Sequence, residues 1–247
     1  MPTDSEEPQS ARDWLKLSVR LQQQGLFASM CDAARQASDL APDDFVARFH
    51  EIDCLQFAGE TRVALQRLQQ IESDHADNAL FLLRAGETYV RFNRPADYHR
   101  CCARAFALAP NDPGIRLGFA RAMISRGDAV SAEALLSEAT KERPEDGDAW
   151  LELARLRRWT ATENHVESLE RAVAVTSNPR SKAASCYALY KELDDVGLTT
   201  HAMSWLQSGA KSLRSTFSYS AETDEAALAR IALSFPDERL RHAPSNG

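Results

Sequence analysis

Apolar positions along the chain fall at helical spacing. Trp14, Leu17 and Leu21 mark one face of an early segment, and Trp150, Leu153 and Leu156 mark the same face of a later one. Apolar residues three and four apart share one side of a helix. The alternation and hairpin turns that announce strands are missing from the pattern. Turn residues follow each helical stretch at a fixed interval: Gly25, Gly59, Asn93 and Gly127 lie 34 residues apart. Glycine and asparagine tolerate the positive φ of a tight turn. Pro42, Pro110 and Pro144 keep the same 34-residue grid, with Ala76 in the open slot. Proline lacks an amide donor and so starts or ends helices. Ala37, Ala105 and Ala139 share the grid with Ile71 between them, and Trp14 and Trp150 are four periods apart. Small residues at Ala120, Ala132 and Ala139 suit places where two helices approach closely. The pattern predicts helix–turn–helix units repeated in line.

In one register the units are 11–44, 45–78, 79–112, 113–146 and 147–180. The second carries Arg48 and Glu51 where apolar residues are usual, and the fifth has Ala161 in place of the turn glycine. A sixth, 183–216, is offset by two residues, with Gly197 and Ala202 in the turn and small-residue slots. Residues 1–10 read as a disordered N-terminus, and 217–247 as a capping helix (about Thr223–Ser234) followed by a linker. Glu222, Asp224, Glu225 and Arg230 give that helix the polar outer face a repeat end needs. A 34-residue helix–turn–helix unit resembles the tetratricopeptide repeat. The resemblance implies an all-α, right-handed superhelix of about six helix pairs plus the cap.

The later part of the chain carries a second resemblance. Tyr187-Ala-Leu-Tyr-Lys-Glu-Leu-Asp-Asp-Val-Gly197 leads into Thr200–Arg214, then Phe217-Ser-Tyr219, Thr223-Asp-Glu-Ala226 and Ser234-Phe-Pro-Asp-Glu-Arg-Leu240. This order is similar to the end of the repeat region in bacterial tetratricopeptide-repeat sulfotransferases, with Gly209-Ala210 and Tyr190 as departures from their pattern. In that family a catalytic domain follows, opening with a phosphosulfate-binding loop. The sequence ends at Ser245-Asn246-Gly247, before that point. The resemblance implies a non-catalytic, substrate- or partner-binding region of a sulfotransferase that uses 3′-phosphoadenosine-5′-phosphosulfate (PAPS). A free-standing adaptor is the other expectation.

Charge narrows the partners. Lys+Arg is 29 and Asp+Glu 36, giving 29 − 36 = −7. Nucleic-acid binding needs a basic surplus, and anionic membranes attract basic segments; neither is expected here. No apolar run reaches the roughly 18 residues a membrane helix needs, and the opening MPTDSEEPQS lacks a secretory leader's apolar core. Five cysteines without a C-x-x-C pair read as reduced thiols of a cytoplasmic protein.

Catalytic and cofactor chemistry is not expected. The glycine loops that cradle phosphates are missing, as is a G-x-S-x-G nucleophile elbow. Asn178-Pro-Arg-Ser-Lys182 reads as the link between the fifth and sixth units, with Ser181 as a helix cap. His50 with Cys54, and His99 with Cys102, offer two ligands each where zinc takes four; packing or surface roles are expected, with Cys102 in the core. Asp43-Asp44 and Asp194-Asp195 read as capping or solvated pairs.

The remaining candidate is a groove. First helices of such units line one surface, so residues one period apart form columns. Val19, Asp53, Glu87, Arg121, Arg155 and Lys191 make one; Gln22, Gln56, Val90, Ile124 and Arg158 the next; Gln23, Phe57, Arg91, Ser125 and Trp159 a third. Leu15, Phe49, Leu83, Leu117 and Leu151 flank them. The columns run from acidic to basic. The expected peptide site is Phe57, Arg91, Arg121, Arg155, Arg158, Trp159 and Lys191, with the arginines holding acidic groups and Trp159 offering a stacking face.

Overall fold

The structure is a computed structural model that describes residues 8–218 and 220–234. It is all-helical over those residues. Two compact units divide them: the residues up to 143 with 148–157, and 144–147 with 158 onward. The expected disorder of 1–7, the Phe235–Leu240 motif and the linker lie outside the described residues.

The first unit holds α1 (Ala11–Gln23), α2 (Phe27–Leu40), α3 (Phe45–Phe57), α4 (Thr61–Asp74), α5 (Ala79–Arg91), α6 (Pro95–Leu108), α7 (Pro113–Ser125), α8 (Ala129–Glu142) and nearly all of α9 (Gly147–Arg155). Odd helices start 34 residues apart at 11, 45, 79, 113 and 147, and even ones at 27, 61, 95 and 129. Gly25, Gly59, Asn93 and Gly127 turn each pair with φ of 74°, 81°, 55° and 82°. An N-cap column shares the period. Ser10, Asp44, Asn78 and Asp112 each accept a backbone N–H of the helix they open, which satisfies a donor that has no intrahelical partner.

Leu82 and Ile115 are buried between helices, as are Met30, Ile52, Leu68, Ile71 and Leu136, with Ala37 and Ala105 at close approaches. The polar substitutions in the second repeat are inside as well. Arg48 and Glu51 are buried; Arg48 pairs with Asp74 at 2.9 Å and Glu51 with Arg67 at 2.9 Å. The fourth repeat has the equivalent Arg116–Glu142 pair at 2.6 Å. The third repeat carries leucines, Leu82 and Leu108, at the two corresponding positions. Buried charges are tolerated when paired, so these repeats keep the fold with different chemistry in the same slots.

The second unit holds α10 (Val166–Val175), α11 (Pro179–Asp195), α12 (Thr199–Arg214) and α13 (Ala221–Ser234). Gly197, at φ 85°, turns α11 into α12. Gly209 fits against Tyr187 closely enough that a Cβ there would fall 2.7 Å from the ring. The helix cap is Asn178, whose side chain accepts from the N–H groups of Arg180 and Ser181. Ser181, expected in that role, instead receives the Gly147 N–H at 2.8 Å and donates to the Glu145 carbonyl.

Candidate binding groove

On α3 the positions Val46, His50, Asp53 and Phe57 follow one another at helical spacing and line a shared surface with residues of α1 and α5. One period on, Leu80, Arg84, Glu87 and Arg91 occupy the same places on α5. Four open depressions overlap there. The largest, about 1020 Å³, lies over α1 and α3 between Leu15, Lys16, Val19, Val46 and His50. The next, about 460 Å³, reaches Gln22, Asp53, Phe57 and Arg91. Two of about 390 and 310 Å³ continue past Phe45, Phe49 and Arg84 to Leu80 and Leu83. Because His50 borders three of them and Arg84 two, they form one groove.

Its floor and rims are apolar. Val46 is 63% exposed, Phe57 59% and Leu80 58%. Phe45 packs edge-on against Phe81, with ring centres 5.2 Å apart, and Phe27 packs edge-on against Phe57 at 5.3 Å. Arg84 lies over the Phe49 ring at 5.7 Å, within cation–π range. Charged side chains on α3 and α5 pair there, Asp53 with Arg91 at 2.6 Å and Arg84 with Glu87 at 3.6 Å, while Arg12, Asp13, Lys16 and Arg20 line its α1 side.

Those pairs change the expected site. Phe57 and Arg91 line the groove, but Arg91 is held by Asp53. Arg121 pairs with Glu152 at 2.8 Å, and Arg155 is exposed at the last residue of α9. In the second unit Lys191 pairs with Asp195 at 2.5 Å. Helix α9 stops at Arg155, so Arg158 and Trp159 leave the helical register in which they were placed. Trp159 offers no stacking face: it is buried, against the edge of His165, and its N–H donates to Asp195 at 2.9 Å. The Arg158 guanidinium lies 3.5 Å from the Asp195 carbonyl. Without a glycine at 161 the fifth pair cannot make the tight positive-φ turn. An irregular segment replaces it, in which the Asn164 amide donates to the carbonyls of Thr160 and Ala161. Buried Glu192 closes the segment by accepting from the His165 N–H and Nδ1.

The sequence columns missed Val46, His50, Phe45 and Arg84. The signal lay one turn toward the N-terminus of the chosen columns, at positions repeating with the same 34-residue period. His50 and Cys54 do approach, at 3.3 Å, but their common partner is the Ser18 hydroxyl. Burial pushes the Cys54 thiol up and the His50 imidazole down from their ordinary values. His99 instead lies 3.0 Å from the Arg126 guanidinium, while Cys102 is buried. Among the described residues no group of three or more His, Cys, Asp or Glu is arranged to hold a metal.

A stack of helix pairs with a lined groove defines a helical-repeat fold. Residues 100–157 match the family model of the tetratricopeptide repeat. Two solved structures are similar over most of the chain. The pilF protein of Pseudomonas aeruginosa is 15% identical with a TM-score of 0.53, covering 89% of this chain and 97% of its own. A tetratricopeptide-repeat protein of Parabacteroides merdae is 16% identical with a TM-score of 0.52, covering 92% and 86%. At such identities the likeness establishes the fold alone. No curated protein matches the chain significantly. Among the described residues no helix is long and apolar enough to cross a membrane.

Proposed function

We propose that the groove of α1, α3 and α5 binds a polypeptide segment of a partner protein. The observation that carries this reading is the exposed apolar stripe of Val46, Phe57 and Leu80 beside the Asp53–Arg91 and Arg84–Glu87 pairs. Large apolar side chains left open in a concave surface mark interaction sites. The scaffold binds and positions; its partner supplies any chemistry. Val46→Glu and Phe57→Glu place carboxylates in the stripe without touching the core. In a pull-down with quantitative mass spectrometry, both are expected to lose the partners that the wild-type chain retains. Retention of the same partners by both variants would refute the groove.

The finer reading, a PAPS-dependent sulfotransferase region, rests on the residue pattern of 187–214 and the motifs after it. An open frame after the Gly247 codon that encodes a Gly-x-Pro-Arg-Ser-Gly-Thr-Thr loop supports it; a stop codon there favours the free-standing adaptor. The basic residues Arg121, Arg155 and Arg158 remain a proposed acidic-peptide site only in so far as such a ligand displaces Glu152 from Arg121.

A further inference from the structure

His50 sits where the overlapping depressions meet, and the protein's hydrogen bonds fix which of its ring nitrogens faces outward. Ser18 Oγ lies 3.1 Å from the Met30 carbonyl. A carbonyl only accepts and a serine has one proton to give, so both of its contacts, to this carbonyl and to His50, are hydrogen bonds together only when that proton points to the carbonyl. In that arrangement Ser18 Oγ accepts from His50 Nε2, 2.9 Å away, and Nε2 carries the ring proton. Cys54 Sγ lies 3.3 Å from the same nitrogen. Among the described residues Nδ1 has no hydrogen-bond partner, and it is not among the enclosed atoms. The neutral ring thus turns a bare acceptor toward the groove. The depressions it borders are lined by the apolar Val19, Val46 and Phe49 and by Gln22, Arg12, Arg20 and Lys16, with Lys16 paired to Asp13 and the cations Arg84 and Arg91 to Glu87 and Asp53.

We propose that His50 Nδ1 is a hydrogen-bond acceptor of the groove and that it selects an extended apolar peptide by receiving one of its backbone N–H groups. The proposal rests on the groove reading above. A helical ligand has already spent its internal N–H groups on its own carbonyls. An extended one presents free N–H groups while its side chains alternate, so apolar residues on either side of that N–H can meet Val46 and Leu80. A carboxylate is disfavoured, because it has no proton for Nδ1 and meets Asp53 nearby.

The test uses the whole chain and three pools of fluorescent nine-residue peptides, N-acetylated and C-amidated, enriched in neutral apolar, acidic or basic residues. The neutral apolar pool is expected to bind tightest at pH 7.5. In its best member, N-methylation at one position is expected to weaken binding about tenfold. His50→Leu should weaken the unmethylated peptide by a similar factor and make the methylation indifferent. If Val46→Glu abolishes binding while His50→Leu changes nothing, the groove stands and the role of His50 falls. If neither variant matters, both readings fall. Tightest binding by the acidic pool also overturns the proposal. Nitrogen-15 NMR of the wild-type ring reads the tautomer without any variant: a protonated Nδ1 with a bare Nε2 refutes the assignment.

Discussion

Asp74→Leu should be far more damaging than Arg48→Leu, although both break the same ion pair. The Arg48 side chain is 9% exposed and that of Asp74 40%. Removing Asp74 strands a guanidinium among buried neighbours, with its Nε already lacking a hydrogen bond. Breaking a buried pair in this way costs about 3–5 kcal/mol. Removing Arg48 leaves a carboxylate that water can reach, and puts a leucine where the third repeat has buried Leu82. The loss is then nearer that of an exposed pair, about 0–1 kcal/mol. The double variant Arg48→Leu/Asp74→Leu copies the Leu82/Leu108 chemistry and should return close to wild type, so the two sites couple by about 2 kcal/mol or more. Urea denaturation followed by circular dichroism reads this. With a slope of about 3 kcal/mol/M, the upper end of the usual range and suited to a longer chain, Asp74→Leu should lower the midpoint by about 1–2 M. Equal losses from the two single variants, or a double variant as weak as Asp74→Leu, would refute the reasoning.

Three further outcomes follow from other parts of the fold. Gly127 sits at φ 82° with open space where a Cβ would go, so Gly127→Ala should cost about 1 kcal/mol through backbone strain alone, measured as a lower urea midpoint. His50 is held below its ordinary value by burial, so the unfolded chain takes up its proton first. Stability from this group is therefore whole above about pH 6.5 and is lost as pH falls below it; a denaturation series from pH 7.5 to 5 should flatten in His50→Gln, and an unchanged slope would count against it. Burial pushes Cys101 and Cys102 up to about 12, so iodoacetamide at pH 8 should label them in urea and leave them unlabelled in the native protein.

The fold was legible because its period is set by residues that act locally. A glycine or asparagine must stand where φ is positive, and small side chains must stand where helices touch, so both sets recur every 34 residues without reference to distant parts of the chain. The N-cap column at Ser10, Asp44, Asn78 and Asp112 was equally local and equally visible, although polar residues before a helix are easily taken for loop. Arg48 and Glu51 misled because hydrophobicity was judged one residue at a time. Their partners Asp74 and Arg67 lie on the following helix, and a pair neutralises what neither residue can alone.

The candidate site was less legible for the same reason. A column of arginines in sequence is a list of charges, and its field depends on what each charge faces. Asp53 reaches Arg91 and Glu152 reaches Arg121, each across two neighbouring odd-numbered helices, so two of the expected cations already face an opposite charge. The register itself failed at the fifth pair, where Ala161 replaces the turn glycine and α9 ends at Arg155. Beyond that point a count in steps of 34 no longer tracks a helix face, and Trp159, assigned to a surface by counting, is buried. Period predicts facing only while the helix that carries it continues. The apolar stripe through Val46, Phe57 and Leu80 lies where the helices are intact, and for that reason the functional argument rests on it and on His50 between.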